Sequence, residues 1–224
     1  MLSKETFQFL EDLKANNNRD WFLENKKKYE VVKKEYHQLI SDLLDVLKPL
    51  DPSLELLEVK NCTFRINRDI RFSKDKSPYK SHLGVWFSSS SVLKGDELSG
   101  YYLHIENGAC FVGGGLYSPT SEQLQKIRKE INFFYDDLEQ IIADQNFKTT
   151  YIDLNRGEST TLKNPPRGYL KDNPALEYLK LKSFTATQKI DSKLALQENF
   201  ATVIAKKMAL LKPLNDFINR ALTT

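Results

Sequence analysis

Tyr101-Tyr102-Leu103-His104-Ile105-Glu106-Asn107-Gly108-Ala109-Cys110-Phe111-Val112 decides the fold class. Two short apolar runs flank an Asn-Gly pair, and Asn-Gly readily supplies the left-handed backbone of a tight turn between antiparallel strands. The second run exits into Gly113-Gly114-Gly115, and a helix is expected from about Ser118-Pro119. Leu124, Ile127, Ile131, Phe134, Leu138, Ile141 and Ile142 carry it for roughly 25 residues at helical spacing. Upstream, Leu83, Val85 and Phe87 alternate in a strand spanning 82–90. The polar connection that follows, to Gly100, is long enough to be mobile.

Further out, Cys62, Phe64 and Ile66 alternate with Thr63, Arg65 and Asn67, the pattern of a half-buried strand. That strand breaks into a polar loop from Arg71 to Pro78. At the N-terminus, Ser3 caps an expected helix over residues 4–15, and Asn16-Asn17-Asn18 reads as a turn. Asn18 caps a second helix, from about Arg19 to Leu47, closed by Pro49 and Asp51-Pro52. Downstream, residues 147–154 read as a strand, Asn173-Pro174 as the start of a short helix, and 183–190 as a strand. Asp191 or Ser192 caps a C-terminal helix that Pro213 kinks or divides. Helices around a block of consecutive strands predict an α+β fold, with a central, mostly antiparallel sheet flanked by long N-terminal, middle and C-terminal helices. The expected organisation is one domain over residues 1–224: a helical part at 1–50, a strand-rich core with a cationic loop at 60–115, and a helix-rich part at 118–224.

Composition sets the bounds. With 224 residues, 40% hydrophobic and 28% charged, the chain can bury one sizeable core. A net charge of +3 is far from that of a dedicated nucleic-acid protein, so the basic character is local. Cys62 and Cys110 sit in apolar surroundings and read as buried reduced thiols rather than a disulfide. Met1-Leu2-Ser3-Lys4-Glu5 has no charged-then-apolar leader pattern, and no apolar run nears the ~18 residues a membrane span needs. A cytoplasmic location with no membrane partner is the expectation.

The local charge lies in Phe64-Arg65-Ile66-Asn67-Arg68-Asp69-Ile70-Arg71-Phe72-Ser73-Lys74-Asp75-Lys76-Ser77-Pro78-Tyr79-Lys80, where six Lys or Arg meet two Asp. Guanidinium forks bind phosphate or carboxylate in bidentate fashion, and lysine adds point charge. Arg65, Arg68, Arg71, Lys76 and Lys80 are therefore candidate ligands of a small anion, with Tyr79 or Tyr101 as a flat wall. Arg–Asp pairs around a solvated loop account for the same residues equally well. Gly113, Gly114 and Gly115 suit close approach of an anion to the backbone, or simply a tight turn. They match neither GxGxxG nor GxxxxGK[ST]. His37, His82 and His104 show no metal-ligand spacing; His82 and His104 could meet across adjacent strands, but no metal is expected. Neither a GxSxG elbow nor an RNP-like, KH or helix-turn-helix signature is present.

Four blocks of the chain resemble a known family. They are Asn17-Asn18-Arg19-Asp20-Trp21-Phe22 with Asn25-Lys26 and Tyr29; Phe64 to Lys80; Gly113-Gly114-Gly115-Leu116-Tyr117-Ser118-Pro119 with Ile127-Arg128; and Pro166-Arg167-Gly168-Tyr169 with Leu181-Lys182-Ser183-Phe184. Together they resemble the family catalogued as domain of unknown function 2461, which is mainly bacterial with some fungal members. The resemblance implies a single cytosolic α+β domain, and it implies no particular activity, substrate or cofactor. Arg167 stands where a lysine is expected before that Gly-Tyr, which keeps the charge. The blocks suggest one cationic cleft joining Asn18-Arg19-Asp20, Arg65 to Lys80, Gly113 to Tyr117 and Pro166 to Tyr169, Arg167 included. The leading expectation is a binder of a small phosphorylated or carboxylated ligand, a nucleotide-like one included. The alternatives are an enzyme on a phosphate-bearing substrate, using Asp69, Asp75 or His104, a nucleic-acid-binding module, and a protein-interaction scaffold. The sequence names no cofactor and no oligomeric state.

Overall fold

The structure is a computed structural model that describes residues 1–91 and 98–224. The helices that open the chain are α1 (Lys4–Ala15), α2 (Arg19–Glu24), α3 (Lys26–Leu50) and the single-turn α4 (Val59–Cys62). The sheet follows, with β1 (Leu83–Phe87), β2 (Gly100–Ile105) and β3 (Phe111–Leu116). After it come α5 (Ser121–Phe133), α6 (Tyr135–Ala143), α7 (Gln145–Tyr151) and α8 (Leu176–Leu179), then β4 (Phe184–Lys189), α9 (Phe200–Ala209) and α10 (Lys212–Thr223). The four strands are antiparallel throughout, in the order β1-β2-β3-β4. The fold is α+β, as the sequence pattern predicts, and the Asn107-Gly108 turn joins β2 to β3.

Strand alternation sends Val85, Phe87, Tyr101, Leu103, Ile105, Val112, Leu116, Phe184 and Ala186 into the core, all buried. Helices α3, α9 and α10 cover that face, α9 and α10 packing on β3 and α3 on α9. The opposite face carries Gly84, Trp86, Tyr102, His104, Phe111, Thr187 and Lys189, and several of these stay partly exposed. One face is thus dry and the other wet, which is the usual arrangement of an antiparallel sheet. Among the described residues no helix is long and apolar enough to cross a membrane. Cys62 and Cys110 are buried and unpaired.

Local chemistry overrides the pattern at several places. Residues 147–154 form no strand: the Asp144 side chain accepts from Asn146 N and Phe147 N and starts α7, which buries Phe147 and Tyr151 at i, i+4. Residues 61–66 are not a continuous strand either. A Glu58–Asn61 capping box winds α4, and only Thr63 bridges to Val85. The expected helix from Arg19 breaks at Asn25, and α3 runs through Pro49 to Leu50. The expected middle helix starts later, behind a Thr120–Gln123 capping box, and divides at Phe134. The C-terminal helix divides at Leu210 and Leu211, with Pro213 in the first turn of α10, where its missing N–H costs nothing. The expected mobile connection falls in part on residues 92–97, outside the described residues.

The triple glycine lies inside β3 rather than after it. At Gly115 φ is +110°, and a Cβ there would stand 2.0 Å from Phe184 O. Only glycine allows β4 to pair at this point.

Candidate functional site

The basic segment is held by contacts far along the chain. Lys80 N donates to Ile66 O (2.8 Å) and Arg68 N to Pro78 O (2.9 Å), so 66–68 and 78–80 form a short antiparallel ribbon. Asn17, in the turn before α2, clamps that ribbon. Its amide donates to Tyr79 O and its carbonyl accepts from Tyr79 N, both at 3.0 Å. The Tyr79 ring is buried and stacks on Phe22, with centroids 4.1 Å apart. Tyr79 therefore joins two sequence blocks and does not face a ligand. Tyr101 is also buried and donates to Asp51 Oδ2 at 2.6 Å.

The candidate cations then sort by partner. The Arg68 guanidinium pairs with Asp75 and reaches Ser73 Oγ and Ser77 O. Hydrogen bonds from the Ser77 hydroxyl and backbone, and then from Arg68, hold the Asp75 carboxyl well below the usual carboxylate range. Arg71 is bidentate to Asp69, at 2.7 and 3.0 Å. Lys76 Nζ donates to Ile70 O at 2.9 Å. These three stitch the loop together. Arg167 is exposed in the turn before Tyr169, whose ring neighbours Arg128 of α5. Arg128 in turn donates to Leu179 O and Leu181 O, beside the start of β4. The basic ribbon lies instead against the far edge of the sheet, beyond β1. Gly113, Gly114 and Gly115 are buried between β2 and β4. The structure does not bring the four blocks into one cleft.

Arg65 and Lys80 remain together, and neither makes an ion pair among the described residues. Lys80 Nζ sits over the Phe64 ring, 5.1 Å from its centroid. Burial first, and then the Arg65 charge, lower the Lys80 pKa. Both line a small recess of about 20 Å³ with Phe64, Tyr36, His82 and Gly84. Tyr36 fixes its floor, donating to Gly84 O and accepting from Phe64 N at 3.2 Å. The recess is too small to engulf a nucleotide.

Beside the recess, strand register assembles a second group. Residues 102, 104 and 106 share the wet face, and His82 just precedes β1, whose Leu83 pairs with Ile105. His82 and His104 lie ring to ring at 4.4 Å, with Glu106 alongside. His104 Nε2 is 3.1 Å from Glu106 Oε2, and His104 Nδ1 is 3.3 Å from Tyr102 Oη. Lys14 of α1 reaches Glu106 Oε1 at 3.1 Å. Burial, and then His104, push His82 down to about 4, so its imidazole is neutral at pH 7. The Tyr102 hydroxyl leans over Gly84, where a Cβ would meet it at 2.8 Å. Sequence reasoning paired His82 with His104 but missed Glu106. The signal was there in the polar i, i+2, i+4 series of Tyr102, His104 and Glu106.

The family profile described as Conserved hypothetical protein (DUF2461) matches residues 5–217. The chain belongs to the DUF2461 family. No curated protein and no solved structure matches it. Within this DUF2461 chain, the Asn17 clamp and the Phe22–Tyr79 stack tie the first two recognisable blocks together.

Proposed function

We propose that the chain binds a small phosphorylated or carboxylated ligand at the recess formed by Phe64, Arg65, Lys80 and His82. The observation that supports this is the grouping of Arg65 with Lys80: these like charges line one recess together with Lys33, neither makes an ion pair among the described residues, and Lys80 is partly buried. An anion relieves that repulsion and gains two charge-assisted hydrogen bonds. Phe64 supplies an apolar wall. Arg68, Arg71 and Lys76 shape the loop and add positive potential without direct contact.

The test is thermal stability at fixed salt against phosphate, sugar phosphates, nucleotides and dicarboxylates. A ligand at ~100 times its Kd adds about 2.7 kcal/mol, which for a chain of this size is roughly 5–10 °C. Arg65→Ala and Lys80→Ala are expected to abolish the shift, and Arg71→Ala and Lys76→Ala to keep it. A shift that survives in the Arg65→Ala, Lys80→Ala double variant would sink the assignment.

A second reading rests on the wet face of the sheet, where Tyr102 and Phe111 lie 5.6 Å apart and partly exposed beside Phe64. Aromatic faces next to cations stack single-stranded bases. Its mark would be binding to long oligonucleotides that weakens steeply with salt, with no response to small phosphates.

A further inference from the structure

We propose that His82, His104 and Glu106 form a binding site for a borderline divalent transition ion of the Zn2+ type. The three residues offer two imidazole nitrogens and a carboxylate oxygen, all within 4.8 Å of one another. Tetrahedral Zn2+ with bonds of about 2.0 Å spaces its ligands roughly 3.3 Å apart, so side-chain torsions alone can close the set. The backbone is already fixed: His104 and Glu106 alternate on β2, and His82 is held opposite by the β1 register.

The surroundings match what metal ligands require. A ligating histidine uses one nitrogen and anchors the other, and a ligating carboxylate is itself hydrogen-bonded. Glu106 meets the second condition and His104 the first. In the tautomer with its proton on Nδ1, His104 donates to Tyr102 Oη, and the ion would take the place between Nε2 and Glu106 Oε2 that their 3.1 Å contact now fills. Lys14 holds the other carboxylate oxygen of Glu106. Three protein ligands leave a coordination position open, as in sites where the metal meets a substrate or water.

Charge decides the class of ion. Lys14 pairs with Glu106, the one carboxylate of the set, and its charge opposes any cation. Mg2+ and Ca2+ bind through oxygen ligands and electrostatic attraction, and this site offers one carboxylate amid cations. An ion with a preference for imidazole nitrogen compensates for that repulsion through its bonds to the two histidines. The inference stands apart from the anion recess, although the two sites share His82 on their common wall.

The experiment uses the full chain after treatment with a chelator. Equilibrium dialysis is expected to show one Zn2+ per chain and no retained Mg2+. Co2+ is expected to give a visible absorption band of the intensity found at low coordination number. Tyr102→Phe should weaken Zn2+ binding about 10–100-fold, with His104→Ala and Glu106→Gln losing more, while His37→Ala on α3 is unaffected. Arg65→Ala should leave Zn2+ binding intact, which separates this result from failure of the anion site. Absence of Zn2+ from the wild-type chain would overturn the proposal without recourse to any variant. So would retention of Zn2+ by a folded His82→Ala, His104→Ala double variant.

Discussion

Asn17→Ala removes two hydrogen bonds that clamp the backbone of Tyr79 from 62 residues away. Each is worth roughly 0.5–1.5 kcal/mol net, and leaving the partner N–H and C=O of a buried residue unsatisfied adds to the loss. A total of about 2–3 kcal/mol follows, and at roughly 2–4 °C per kcal/mol the melting midpoint should fall by about 5–10 °C. Asn16→Ala is the control, since its amide only caps Asp12 O locally in an exposed turn. Asn17→Asp should be no better than alanine: it still accepts from Tyr79 N–H but turns a carboxylate oxygen against Tyr79 C=O. Lys80 follows Tyr79 directly, so the loosened ribbon should also weaken phosphate binding in Asn17→Ala. Thermal denaturation by circular dichroism reads the first effect, and a phosphate titration the second. A midpoint within about 1 °C of wild type would refute the clamp.

Other changes separate structural from dispensable contacts. Gly115→Ala places a methyl 2.0 Å from Phe184 O at a positive φ, so β4 should detach; the expected loss exceeds about 3 kcal/mol and would be seen as insoluble expression. Arg71→Ala breaks an exposed, solvent-screened pair with Asp69 and should leave the urea midpoint unchanged. Burial alone would raise the Glu35 carboxyl, but hydrogen bonds from Thr6 and Ser3 outweigh it and leave the pKa below the usual 4.5. That contribution is complete above pH 4.5 and is lost as pH falls through the lower folded value. Melting midpoints measured from pH 6 downward should therefore decline less steeply in Glu35→Gln than in wild type.

Much of the fold was legible because its signals were local. The Asn107-Gly108 turn, the alternation in β1 and β2 and the stripe on α3 each specify an element without distant help. The misread elements turn on side chain–backbone competition. Phe147 to Leu154 has strand-like composition, but Asp144 captures two amides and commits the segment to a helix. The Glu58–Asn61 box does the same ahead of Thr63. The candidate site was legible as composition and hidden as geometry. Nothing in Arg65 to Lys80 announces that Arg68 and Arg71 pair within the loop while Arg65 and Lys80 do not. The distance between Arg167 and the ribbon follows from the order of the strands, a long-range property. Glu106 joins the two histidines only through the register of β1 on β2.

The treatment of β1 and β4 bears on what a foreign strand would meet at the sheet's edges. Both are edge strands, and an open edge is a template for a foreign strand. On β1, the Tyr36 hydroxyl occupies Gly84 O and Thr63 bridges to Val85. On β4, Asn155 N donates to Thr185 O at 2.7 Å, and its amide reaches Thr185 Oγ1. Each edge is stopped by single residues from neighbouring loops and helices rather than by a fifth strand. A strand adding to either edge must first displace these plugs, while the wet face stays open to solvent.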